Sequence, residues 1–255
     1  MRKDSTFGTL FVALAVCLVC SIFVSTAAVY LKPLQETNKA LDKKKNILAV
    51  AGLMQEGKTV DELFSQVEPR VVDLATGEFV EDIDPANFDA RQAAKDPEQS
   101  VAIPGSQDIA SIRSRAKYAT VYFVKEGERA GLMILPVHGY ALWSTLYGFV
   151  ALESDGQTVY GLSFYEHAET PGLGGEIDNP KWKSLWRGKQ VFDEQGNMQL
   201  QVIKGVVTAD TPRAEHKVDG LAGATLTSVG VSNLLAYWLS DQGFGPFLDK
   251  VRAGS

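Results

Sequence analysis

A chain of 255 residues with 45% apolar and 22% charged side chains has the composition of a globular protein, longer than one small domain needs and shorter than two full-sized ones usually take. The net charge of −6 is unevenly spread: residues 1–45 hold seven basic and three acidic side chains, and the remainder 18 basic against 28 acidic. So acidic a body repels a phosphate backbone, which argues against nucleic-acid binding, and two cysteines with three histidines leave neither a disulfide framework nor enough ligands for a multi-ligand zinc site.

The first element is apolar. From Phe7 to Leu31 run 25 residues without a charge. As a helix this stretch measures roughly 37 Å against a hydrocarbon core of about 30 Å, so a single tilted transmembrane helix is predicted over 7–31, with residues 1–6 before it. A cleaved signal peptide would share the basic start at Arg2 and Lys3 and the small run Ser25-Thr26-Ala27. Its apolar core, however, usually runs only about 7–15 residues, which favours a retained anchor. Cys17 and Cys20 spell Cys-x-x-Cys in mid-span, where hydrocarbon disfavours a thiolate, so they read as small membrane-helix residues. Charge leaves the orientation open: Lys32, Lys39 and Lys43-Lys44-Lys45 follow the span, Arg2 and Lys3 precede it, and the balance depends on the window counted.

Residues 32–118 are expected to form a membrane-proximal helical and irregular region. Residues 34–54 continue as helix with Leu41, Ile47, Leu48 and Leu53 on one side, and Thr59-Val-Asp-Glu62 is a capping box opening a short helix. Residues 80–110, rich in Asp, Pro, Ala, Gln and Ser, read as a surface excursion. Residues 119–255 are expected to form the main domain. Ala119–Lys125 and Gly131–Val137 are strands about a turn at Glu126-Gly127-Glu128, and Thr145–Glu153 and Thr158–Glu166 flank the hairpin turn Ser154-Asp155-Gly156. A short helix starts at Asp178-Asn179-Pro180, Met198–Lys204 is another strand, and Ser228–Val251 is helix broken near Gly243–Pro246. Hairpin strands followed by segregated helices predict an α+β fold with an antiparallel sheet.

Three segments look unlike plain core. In His216–Ser228, Gly220, Gly223, Ala222 and Ala224 leave the backbone open before Thr225, Thr227 and Ser228 begin a helix; the hydroxyls suit ordinary N-caps, and the open backbone equally suits an anion at the helix start. In Glu169–Gly175, three glycines suit either a surface turn or a loop lying against a flat ligand. In Gly139–Trp143, Tyr140 and Trp143 suit either a ring contact or the core.

Together the three segments resemble a known family. Asp219-Gly-Leu-Ala-Gly-Ala-Thr225-Leu-Thr227 resembles the flavinylation motif, Asp-Gly-x-Ser/Ala-Gly-Ala-Thr-x-Thr/Ser, of the FMN-binding domain family, and Gly139–Trp143 and Glu169–Gly174 match the same domain. With its anchor and length, the chain is similar to the C subunits of Na+-translocating NADH:quinone oxidoreductases. The resemblance implies FMN joined through its phosphate to Thr225, formally a phosphorylated threonine, within a motif formed by Asp219, Gly220, Gly223, Ala224, Leu226 and Thr227. For the ring, Tyr140, Leu142 and Trp143 are the candidate contacts on one segment, and Glu169, Thr170, Gly172, Leu173 and Gly174 on the other, with Glu169 as a possible charge beside it. It implies no catalytic residue and no metal ligand in this chain, which would act as an electron carrier within a translocase coupling NADH oxidation and ubiquinone reduction to Na+ export. The implied partners are the other subunits of the six-subunit Na+-translocating complex and a periplasmic Mg-dependent flavin transferase. The implied location is the bacterial inner membrane, residues 1–6 in the cytoplasm and the FMN domain in the periplasm.

Three rival readings stand beside this one, among them a non-catalytic membrane-anchored binding module with a flavin as structural ligand. The flavoprotein of the Rnf complex shares anchor, domain and motif but is usually shorter around residues 80–110. A hydrolase using Thr225 with His216 or Asp219 lacks an evident base beside the hydroxyl. No Gly-x-Gly-x-x-Gly fingerprint is present, so NADH oxidation falls to another chain.

Overall fold

The computed structural model describes residues 6–125, 127 and 129–254. Arg2 and Lys3 of the basic start, and Glu126 and Glu128 of the first turn, lie outside the described residues. The chain divides into two compact units, residues 1–43 and 44–255. Helix α1, Thr6–Val50, runs without a break through Pro33, so the expected span and the expected helix after it are one element. Among the described residues it is the one helix long and apolar enough to cross a membrane, and none of its apolar window is buried in protein.

In the second unit, α2 (Val60–Phe64) starts as the capping box requires: the Thr59 hydroxyl accepts the Glu62 N–H, and the Glu62 carboxylate accepts the Thr59 N–H at 2.8 Å. Strand β1 (Val67–Asp73) follows, then the short helix α3 (Ala90–Ala93) and the hairpin pair β2 (Ser100–Ala102) and β3 (Ser114–Ala116). Strands β4 (Tyr118–Val124), β5 (Met133–Tyr140), β6 (Thr145–Leu152) and β7 (Val159–Glu166) come next. A 3-10 turn (Gly174–Asp178) leads into α4 (Pro180–Ser184), where Asn179 caps the Lys181 N–H and Pro180 takes the first helical position. Strands β8 (Gln201–Val202) and β9 (Lys217–Val218), then helices α5 (Thr225–Trp238) and α6 (Gly245–Ala253), complete the chain.

The main sheet has the order β1-β4-β5-β6-β7, antiparallel throughout, so the α+β expectation holds. It takes its edge strand from Val67–Asp73, inside the stretch expected to be helical and irregular. Pro69 is tolerated there because β1 is the edge strand of the sheet, and the bonds to residues 78–80 on its outer side involve Val71–Asp73 and not Pro69. The expected strand Met198–Lys204 shrinks to the two residues of β8, paired parallel with β9.

Alternation along the strands buries both faces. Met133, Leu135 and Val137 point to one side with Val150 and Leu152, into a core closed by Val231, Leu234 and Leu235 of α5 and Phe247 and Leu248 of α6. Ile134, Phe149, Ala151, Tyr122 and Val124 point to the other, where Ile47, Leu48 and Val50 from the end of α1 and Leu63 of α2 cover them. Each large side chain among these contributes about 1.5–3 kcal/mol of burial. Helix α5 lies tight on the turn after β5: a Cβ on Gly230 would stand 2.7 Å from the Cα of Ala141, so glycine there permits the approach. The start of α5 and the residues following β5 and β7 are thereby brought together.

Candidate functional site

The hydroxyl groups at the start of α5 have different fates. Thr225 is the first helical residue rather than the N-cap; it is exposed, and no hydrogen bond of its hydroxyl is found among the described residues. Thr227 is fully buried and donates its hydroxyl to Oε2 of Glu169 at 2.7 Å. Ser228 is buried, and its Oγ accepts the N–H of Leu221 at 3.0 Å. None of the three caps the helix. The cap position is Ala224, which has no side chain able to accept a hydrogen bond, so the first N–H groups of a 14-residue helix lack a side-chain acceptor.

Glu169 is the hub beneath the site. It is 4% exposed, and its Oε1 accepts the N–H groups of Leu142 (3.3 Å), Trp143 (2.9 Å) and Ser144 (3.3 Å) while Oε2 takes the Thr227 hydroxyl. A Cβ on Gly174 would stand 2.5 Å from Oγ1 of Thr227 and 2.7 Å from Oε2 of Glu169, so only glycine leaves this bridge intact. The sequence suggested a charge beside a ring; here both carboxylate oxygens are turned inward to the protein.

The sequence-predicted segments therefore converge. Above the hub stands an apolar rim: Trp143 is 65% exposed, Tyr140 46%, Leu173 45% and Leu226 60%. Leu142 is half-buried, Thr170 and Gly172 are exposed, and Gly174 is buried. Gly223 meets the 169–175 loop directly, since a Cβ on it would stand 3.0 Å from Cδ2 of Leu173. Asp219 and Gly220 serve the local fold: Oδ1 of Asp219 accepts the Val207 N–H at 2.8 Å, its carbonyl accepts Nε1–H of Trp182 at 2.9 Å, and the Gly220 N–H reaches the Gly205 carbonyl. Beside Thr225 lies a cleft of about 100 Å³ bounded by Lys204, Gly205, Gly220, Leu221 and Val229. His216, the candidate base of a hydrolase, is buried, with Nδ1 on the carbonyl of Gln190 at 2.8 Å. Among the described residues no group of three His, Cys, Asp or Glu side chains could hold a metal ion.

Some contributors were not legible in the sequence. The excursion at 80–110 reaches the site: the carbonyl of Ala110 accepts the N–H of Tyr140 at 2.8 Å, in a loop where Asp108 accepts the N–H groups of Ile112 and Arg113. Oγ of Ser144 accepts the Ala168 N–H at 2.7 Å, joining the two rim segments again. A backbone carbonyl has no sequence signature, so only Asp108, a turn-forming residue, hinted at an ordered loop. Lys204 carried no signal of its own.

An exposed threonine at an uncapped helix start, on a site whose converging glycine-rich loops carry exposed apolar side chains, fits a phosphate-bearing planar ligand, and residues 141–240 match the FMN-binding domain family. The chain is 55% identical to the C subunit of the Na(+)-translocating NADH-quinone reductase of Pseudomonas aeruginosa, over 99% of this chain and 98% of that protein. The Yersinia pestis protein of the same name is 49% identical over 100% of this chain and 96% of its own length. The crystal structure of Shewanella oneidensis NqrC superposes with a TM-score of 0.75 at 35% identity, covering 83% of this chain and 97% of that one. The crystal structure of the corresponding Parabacteroides distasonis protein gives 0.65 at 27% identity, covering 86% and 96%. The chain belongs to the family of C subunits of the Na(+)-translocating NADH-quinone reductase, and the Rnf alternative is set aside.

Proposed function

We propose that this chain carries FMN in phosphoester linkage to Oγ1 of Thr225 and relays electrons within a Na+-translocating NADH:quinone reductase. The observation that carries this reading is the division of labour at the start of α5: Thr227 and Ser228 spend their hydroxyls on the fold, and Thr225 holds its own outward. The uncapped N–H groups and the positive end of the helix dipole suit a phosphate at that point, with Lys204 on the adjoining cleft. Bound FMN supplies one-electron transfer at its ring. The protein's share is to hold that ring against Tyr140, Trp143, Leu173 and Leu226, whose exposed apolar surfaces would be covered by it and would exclude water there.

Thr225 is an attachment point and not a self-acting nucleophile. A threonine hydroxyl needs a base, and among the described residues neither His216, buried with Nδ1 on the Gln190 carbonyl, nor Asp219, with Oδ1 on the Val207 N–H, hydrogen-bonds to it. A separate Mg-dependent flavin transferase is therefore assigned the step: the FAD phosphoanhydride breaks, the bond from Thr225 oxygen to FMN phosphorus forms, AMP leaves, and the hydroxyl proton passes to the transferase. Exposure of Thr225 gives that enzyme access. The other five subunits of the reductase would exchange electrons with this one, and α1 would anchor it in the inner membrane with the flavin domain in the periplasm. Covalent attachment suits a dilute compartment: a flavin held at micromolar affinity, about 8 kcal/mol, would be lost there, whereas a tether keeps it at an effective concentration on the order of millimolar.

The test is co-production with a flavin transferase. Flavin fluorescence should survive denaturation in the native chain and be absent from Thr225→Val; a native chain at its unmodified mass would overturn the covalent reading. A periplasm-dependent reporter fused after residue 32 should be active, and an active cytoplasmic reporter would reverse the orientation.

A further inference from the structure

We propose that Glu169 is a positioning residue: its buried carboxylate ties the loop bearing Trp143 to the first turn of α5, and so sets how a flavin on Thr225 lies against the rim. The inference rests on Thr225 being the attachment point and adds to it the part that fixes the geometry.

Burying a carboxylate is unfavourable unless hydrogen bonds replace its water. No ion pair reaches Glu169 among the described residues, and four hydrogen bonds do, from three consecutive backbone N–H groups at 142–144 and from the Thr227 hydroxyl. These donors lie 25 to 58 residues away along the chain, so one side chain joins two segments distant in sequence to its own loop. The bridge also holds the first turn of α5 in the rotation that Val231, Leu234 and Leu235 set further along the helix. Successive helical residues are turned by about 100°, so residues two apart point to nearly opposite sides. Holding Thr227 inward on Glu169 therefore turns Thr225 outward. Gly174 keeps the bridge free of obstruction, as any Cβ there would press on both of its oxygens. The carboxylate that aligns the Trp143 amide thus also holds the turn bearing Thr225, and the rim and the attachment point move as one body.

Glutamine separates position from charge. Its amide oxygen can still accept the three N–H groups and its –NH2 can donate to Thr227 once that hydroxyl rotates, whereas alanine removes every bond. The experiment uses the full-length chain, flavinylated in the cell, as native, Glu169→Gln, Glu169→Ala and Thr227→Val. Visible circular dichroism of the bound flavin reads its orientation, redox titration reads its potential, and hydrogen exchange reads the amides at 142–144. For Glu169→Ala we expect at least tenfold faster exchange at 142–144 and at least a halving of the visible dichroism per flavin; Glu169→Gln should restore both to within twofold of native, with the native potential. A folded alanine variant with native dichroism and exchange overturns the proposal. So does a glutamine variant that keeps native exchange but shifts the potential as far as alanine does, since charge and not position would then be at work. Should alanine fail to fold, Thr227→Val, which removes one bond of the four, should show a partial loss of dichroism, and an unchanged signal there overturns the proposal. A native chain without flavin on Thr225 would mark failure of the attachment reading instead, and it would show first in the intact mass.

Discussion

Two clefts on the body of this protein make a useful pair, and the larger of them is the less informative. Between the sheet and α6, Phe79, Phe123, Met133 and Phe247 line a cleft of about 600 Å³, against about 100 Å³ beside Thr225. At the large cleft the charged groups have counterparts. Arg70 stacks on Phe79 at 3.5 Å and pairs with Glu81, Lys250 pairs with Glu78, and the three phenylalanines meet edge to face at 5.8–6.3 Å. At the small one a hydroxyl and a helix start are left over, and four apolar side chains stand exposed on the segments that converge at the start of α5. Unspent bonding capacity, more than empty volume, marks where a ligand belongs.

Substitutions should separate the two regions. The largest effect is expected from Thr225→Val, which should remove all covalent flavin while moving stability by no more than about 0.5 kcal/mol, as its exposed side chain predicts. Phe247→Ala should do the reverse. Its ring is 2% exposed and holds α6 to the sheet, so urea unfolding should show a loss of about 3–5 kcal/mol with flavin content per folded chain unchanged. If Phe247→Ala, still folded, lost its flavin, the large cleft would have to belong to the site.

A smaller effect concerns β5, which carries Met133 at one cleft and Tyr140 at the rim of the other. Between them His138 stacks on Tyr147 at 5.3 Å and lies against Trp238 at 4.9 Å. Burial, and then the charge of Arg91, push its pKa down to about 4 from the usual 6.5. The unfolded chain binds this proton below about pH 6.5 and the folded chain only below about pH 4, so stability falls as pH drops through that window. His138→Phe should remove this dependence, worth up to about 3 kcal/mol, in paired urea titrations at the two ends of the window. Equal slopes in both proteins would show that the histidine is not desolvated.

Much of this was written locally in the sequence. The Thr59–Glu62 box and the turn at Asp155, whose Oδ1 accepts the N–H groups of Gln157 and Thr158, depend on neighbours a few positions apart. The segments at 139–143, 169–174 and 219–227 stood out by their glycines and hydroxyls, and the fold brings them together. What escaped was non-local. Strand β1 belongs to the sheet because it pairs with β4, some fifty residues on, which no window around Pro69 reveals. Glu169 looked like a charge offered to a ligand because its type is visible in the sequence and its burial is not. The excursion at 80–110 looked superficial because its contribution to the rim is the carbonyl of Ala110, a group every residue possesses.

The account is tested most directly by mass mapping of the tryptic segment that follows Lys217 and contains Thr225, Thr227 and Ser228, taken from chain isolated out of native membranes. The account predicts FMN on that segment, with fragment ions assigning it to Thr225 and leaving Thr227 and Ser228 unmodified. Uniformly bare segments, or flavin on Thr227, would contradict it.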